Sequence, residues 1–195
     1  MLQRQRQIQA VGELFIPLLG FFVFEWGLYF ILLFYVIDLL ATEFFIQLKL
    51  QKSAQFNGYN LTFFQRFKTI LLVLLILALM HIAVYVMYPE INFYSEMHDF
   101  FMYEEAGIPI PQGYLLLPLV AFGNFQHYRM FFSRPKAFRF IQPPHILSSR
   151  VKALLLALAG CGLAIGISSF MHLPEAVYLL LIVITKLYVD LTFAP

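Results

Sequence analysis

Residues 11–48 read VGELFIPLLGFFVFEWGLYFILLFYVIDLLATEFFIQL, one apolar block that carries Glu25, Asp38 and Glu43 inside it. At 1.5 Å rise per residue a continuous helix over this block would run on the order of 57 Å, against a hydrocarbon core of about 30 Å. The block must therefore tilt hard, protrude or fold back. A fold-back is expected at Glu25-Trp26-Gly27, where a carboxylate, an interfacial aromatic and a helix-weakening glycine coincide.

The rest of the composition points the same way. With 61% hydrophobic residues, 18% aromatic and 12% charged, the 195 residues are too apolar for a water-soluble domain, and the apolar residues come in long blocks instead of amphipathic stripes. The expected fold is all-α: a single integral membrane domain over residues 1–195, a polytopic transmembrane helical bundle. The single cysteine, Cys161, excludes both an internal disulfide and a cysteine metal cluster; in the run Ala157 to Ile167 it reads as a small packing residue. Arg4 and Arg6 before the first apolar run resemble a signal-peptide flank, but no small-residue cleavage site follows, so the segment reads as a retained cytoplasmic start.

Outward from the block, charge alternates between ends. Val11 to Phe24, with Pro17 and Gly20, offers about 14 residues or roughly 21 Å, a short first arm. Trp26 to Leu48 forms the second. Gln47 to Lys68 carries Lys49, Lys52, Arg66 and Lys68 without an acidic residue, and Asn57-Gly58 marks its turn. Thr69 to Met87 is the cleanest span. Pro89 to Gly113 is acidic, with a short amphipathic helix expected over Phe93 to Glu105. Tyr114 to Phe132 returns, kinked by Pro118 and Gly123, and Arg129, Arg134, Lys136, Arg139, Arg150 and Lys152 follow. Lys152 to Met171 and Ala176 to Leu191 complete the set, joined by a turn at His172-Leu-Pro-Glu175. Gly162 and Gly166 suit close helix packing. If the first block is a short hairpin there are about six membrane segments, both termini are cytoplasmic, and every basic loop faces the cytoplasm. Counting the block as one crossing gives about five and leaves Arg4 and Arg6 outside.

The polar groups inside the segments carry the functional question. A carboxylate within a membrane helix costs roughly 2.5 to 3.5 kcal/mol on insertion scales unless paired, protonated or wetted, so Asp38 needs a partner. The topology gathers Asp38, Glu43, Arg129, Lys186 and Asp190 at one end, with Asp38 to Lys186 or Arg129 as the leading pair. This network is either a structural ion-pair cluster or a proton or substrate site. At the other end Glu96, His98, His172 and Glu175 are weak metal candidates, since their spacing matches no zinc motif. Haem between His81 and His127 or His145 is disfavoured by their different depths. No cofactor is expected. No phosphate loop and no activated nucleophile is present. The basic, phenylalanine-rich stretch from Arg129 to Lys152 suits anionic lipid headgroups and not nucleic acid.

Two stretches carry a resemblance. Pro17-Leu-Leu-Gly, Glu25-Trp26-Gly and Leu32-Leu-Phe-Tyr35-Val-Ile-Asp38-Leu, together with the closing Ile184-Thr-Lys186-Leu-Tyr-Val-Asp190-Leu, are similar to the two ends of a family of uncharacterised bacterial integral-membrane proteins, a domain of unknown function. Val36 stands where that family commonly has a second aromatic, and Leu39 follows Asp38 where Glu-Asn is common. The resemblance covers about a third of the chain; it implies a multi-helix fold in a bacterial inner membrane and no activity. Three functions follow from the residues. The first is a non-enzymatic accessory or scaffold protein packing against the lipid bilayer and against copies of itself or other membrane subunits. The second is a proton-coupled transporter or permease using Asp38 and Lys186, and the third a membrane enzyme acting on lipid or quinone.

Overall fold

A computed structural model describes residues 14–102, 113–171 and 173–193, without the side chain of Asp190. All regular structure among the described residues is helical. The helices are α1 (residues 14–22), α2 (Leu28–Asn57), α3 (Phe63–Met87), α4 (Phe93–Phe101), α5 (Gly113–His127), α6 (Pro143–Phe170) and α7 (Glu175–Phe193). Helices α2, α3, α6 and α7 are long and apolar enough to cross a membrane. Leu74, Phe122, Leu163 and Ile184 on the outer faces are each more than half exposed, a display of apolar surface that suits lipid and not water.

The long block does break where glutamate, tryptophan and glycine coincide. After residue 22 the chain leaves the helix, Glu25 adopts the left-handed region at φ 53°, and Trp26 N–H donates to Gly20 O at 2.9 Å. The Trp26 ring lies against Gly20 so closely that any Cβ there would overlap it. Leu14, Leu18 and Phe21 then pack on Leu28, Ile31 and Leu179, beside the starts of α2 and α7. The described part of this first arm is about 13 Å long, short of a crossing; residues 11–13, which the expected segment included, lie outside the described residues.

Helix boundaries depart from the expected ones at the basic end. Helix α2 runs 30 residues to Asn57, about 45 Å, so the stretch expected as a loop from Gln47 is helix for three more turns. Gly58 closes it with φ 63° and an N–H donated to Ala54 O. Helix α3 starts at Phe63 instead of Thr69, because Thr62 and Gln65 form a reciprocal capping box. Helix α6 starts at Pro143 instead of Lys152, with Pro143 and Pro144 filling the first-turn positions where no backbone donor is needed. The expected return through Tyr114 to Phe132 is an α-helix of 15 residues around Pro118, followed by a π-helical turn over Tyr128–Ser133. Among the described residues four helices are long and apolar enough to cross a membrane, which leaves the six expected segments unconfirmed. Helix α4 ends at Phe101, and the expected continuation to Glu105 falls outside the described residues.

The bundle alternates. Phe132 packs with Ile46, Leu50 and Ile146, and Ser149 Oγ donates to Phe193 O at 3.1 Å. That gathers the ends of α2, α5 and α7 with the start of α6. At the opposite end Tyr29, Val84 and Phe100 form one cluster and Leu28, Tyr178 and Leu179 another. The alternation carries Lys49, Lys52, Arg66, Arg129 and Arg150 to one end and Glu90, Glu96, Asp99 and Glu175 to the other.

Candidate functional site

Asp38 and Glu43 stand five residues apart on α2, about 140° around its axis at 3.6 residues per turn, so they face different neighbours. Asp38 faces α5 and α7: its Oδ2 lies 3.2 Å from Lys186 Nζ, and its Oδ1 accepts from Asn124 Nδ2 at 3.0 Å. Thr42, one turn on, donates to Asn124 Oδ1 at 3.0 Å. Glu43 faces α3 and α6. Its Oε2 accepts from Arg150 Nε at 2.9 Å, while its Oε1 accepts from Thr69 Oγ1 at 2.6 Å and Gln47 Nε2 at 2.8 Å. Two polar centres, little more than one helical turn apart, thereby tie α2 to α3, α5, α6 and α7.

Sequence reasoning named Asp38, Glu43 and Lys186, and the Asp38–Lys186 pair is formed. Arg129 is not part of the arrangement: it sits exposed in the π-helical turn, with no ion-pair partner among the described residues. Asp190 lies on α7 with its side chain outside the described residues. Asn124, Thr42 and Thr69 were not among the polar groups singled out, although a lone asparagine in the apolar run from Val120 to Phe125 is itself a signal. Arg150, expected in a basic surface stretch facing lipid headgroups, is instead buried against Glu43.

Above these centres the space between α2, α3, α6 and α7 holds a cavity of about 210 Å³. It exists because α6 turns small residues toward it: Ala153, Ala157, Gly160, Cys161 and Ala164 follow helical spacing along one face. Leu28, Met87 and Tyr178 line its acidic-end limit, and Asp38, Thr42, Arg150 and Lys186 line its opposite end. The walls between are almost wholly apolar. Arg150 is buried, its side chain 9% exposed, and its Nη2 has no hydrogen-bond partner among the described residues.

Gly162 and Gly166 do not serve close packing within the chain. A Cβ at either would meet open space, because both lie on the outer face of α6. At the acidic end Tyr88 OH donates to Glu175 Oε1 at 2.7 Å, joining the end of α3 to the start of α7. Burial first, and then the Glu175 carboxylate, push the Tyr88 hydroxyl well above the ordinary tyrosine range. Glu96 is exposed, His98 pairs among the described residues with adjacent Asp99 at 3.5 Å, and His172 lies outside the described residues. Among the described residues no three His, Cys, Asp or Glu side chains come together as metal ligands would. His81 Nδ1 sits 2.8 Å from Leu77 O and so carries the hydrogen, which leaves Nε2 facing Tyr29 OH at 3.1 Å. His145 is exposed at the far end of the bundle. In the basic, phenylalanine-rich stretch several cations lie over rings: Lys52 over Phe138 at 4.8 Å and Arg139 over Phe56 at 5.6 Å.

No family model, curated protein or solved structure matches the chain. The functional reading therefore rests on the chemistry of the cavity and its charged end.

Proposed function

We propose that the chain is a small polytopic membrane protein that takes a hydrophobic small molecule into the cavity between α2, α3, α6 and α7, as a carrier or transporter. One observation carries this reading: a cavity of about 210 Å³ with apolar walls ends on the Asp38–Lys186 pair and on Arg150, the buried cation paired with Glu43. A dry 150 Å³ cavity already accepts a benzene-sized guest, so the volume is sufficient. An ion-pair cluster serving only to hold helices together has no need of space beside it. In this reading the lysine- and arginine-rich end faces the cytoplasm of a bacterial inner membrane, as the positive-inside bias favours.

The test is occupancy. Protein extracted in a mild nonionic detergent should retain or accept one hydrophobic molecule per chain in native mass spectrometry. Ala157→Phe, which fills the cavity from α6, should abolish that mass shift while the protein stays folded. A protein that takes up nothing, or whose uptake is indifferent to Ala157→Phe, overturns the proposal.

The accessory or scaffold reading, ranked first on the sequence, keeps one supporting observation. Gly162 and Gly166 leave open space on the outer face of α6, and Phe170 beside them is 90% exposed. A second helix seated on this face would use the glycines as sequence reasoning expected. Crosslinking through a cysteine placed at Ser169, in a Cys161→Ser background, distinguishes the two: efficient dimer formation favours the scaffold.

A further inference from the structure

We infer that the occupant of the cavity is a single-chain amphiphile with an anionic oxygen head, a carboxylate or a phosphate monoester, seated on Arg150; this rests on the cavity being a ligand site. The first argument is hydrogen-bond accounting at the charged end. Both oxygens of Asp38 and both of Glu43 already accept from protein donors. One buried donor at this end, Arg150 Nη2, has no partner among the described residues. Arg150 and Lys186 outnumber the one carboxylate in the lining, Asp38, so this end suits an anionic head better than an ammonium. A guanidinium nitrogen in an apolar surround is best matched by an anionic oxygen, because charge-assisted bonds of this kind are about twice as strong as neutral ones.

The second argument is shape. Along α2 the lining runs from Leu28 to Thr42, about 21 Å of helix. A volume of about 210 Å³ spread over that length averages about 10 Å² of cross-section for the centre of a guest atom. That average is about one hydrocarbon chain wide. The third argument is polarity along the tube. The tail would run past Cys161 and Ala164 toward Leu28 and Met87, all apolar or weakly polar contacts, and the head would end among Arg150, Asp38 and Lys186. Lys186 is a second cation in the lining, paired with Asp38.

The experiment compares three ligands of one chain length, hexadecanoate, hexadecyl phosphate and hexadecanol, on the detergent-solubilised full chain, by native mass spectrometry and by thermal unfolding. Either anion should bind about tenfold or more tightly than the alcohol. The better of the two anions names the source, a fatty acid or a lipid phosphate. Arg150→Lys keeps a cation for Glu43 and removes the spare nitrogen; it should erase most of the anion's advantage while leaving the alcohol's affinity within about twofold. The wild-type comparison needs no variant, so a folding defect in Arg150→Lys does not stop the test. If the alcohol binds as tightly as both anions, the head assignment is overturned and the cavity reading stands. If none of the three binds wild-type protein, the cavity reading falls with it.

Discussion

Arg150 Nε and Glu43 Oε2 lie 2.9 Å apart although the residues are separated by 107 positions, and both side chains are more than nine-tenths buried. The pair is the strut between α6 and α2. Removing one partner from a buried pair costs roughly 3 to 5 kcal/mol, since the survivor keeps its charge without compensation. Glu43→Gln should therefore lower the unfolding temperature sharply. The double variant Glu43→Gln with Arg150→Gln should recover a large part of the loss, and the double-mutant cycle measures the coupling.

Asp38 and Lys186 form a weaker tie. Their side chains are 19% and 23% exposed, so water shares in their solvation and the pair is screened more than Glu43–Arg150. Asp38→Asn should destabilise by about 1 to 3 kcal/mol, less than Glu43→Gln. Denaturant unfolding of the two variants side by side gives the order, and the reverse order would contradict the assignment of Glu43 as the main strut.

Tyr88 makes the acidic end sensitive to alkali. Its hydroxyl titrates higher folded than unfolded, through burial and the Glu175 carboxylate, so the native state binds the proton more tightly. That stabilisation is complete below the unfolded value of 10.0 and is lost as pH rises above it. Wild-type protein should lose unfolding temperature above about pH 10 more steeply than Tyr88→Phe, which has no proton to lose.

The glycines divide by what surrounds them. Gly113 meets the Phe100 carbonyl and the Phe101 backbone where a Cβ would stand, so Gly113→Ala should destabilise by about 1 to 3 kcal/mol through overpacking. Gly162→Ala and Gly166→Ala face open space and should instead stabilise the chain by about 0.5 to 1 kcal/mol each through helix propensity. Thermal unfolding checks both signs. If Gly166→Ala leaves the chain folded but dissociates a dimer, the α6 face is a packing surface between copies.

Much of this arrangement was legible in the sequence where a residue has a single physical remedy. Glu25-Trp26-Gly27 breaks the long block because a carboxylate, an aromatic anchor and a glycine weaken a helix together. Asp38 needs a counter-charge, and the charge bias of the loops put Lys186 at the same end. Glu43–Arg150 escaped notice because helix α6 begins at Pro143, nine residues before the apolar run, which turns an apparent loop cation into a buried helical one. Thr62 and Gln65 carried the start of α3 in plain view as a capping box. The cavity was not legible. The small residues of α6 occupy two faces, Ala157, Gly160, Cys161 and Ala164 on one and Gly162 and Gly166 on the other, and only tertiary packing decides which face looks inward.

Arg150 holds α6 to α2 through Nε, and the same side chain lines the cavity end. Any guest that engages this side chain is thermodynamically linked to the Glu43 bond, so occupancy and bundle stability rise and fall together. At a free concentration a hundred times its dissociation constant, such a guest would add about 2.7 kcal/mol to the folded state. Detergent extraction that strips the guest would yield a looser bundle than the membrane contains, and the detergent-to-protein ratio would act as a hidden titration of its stability.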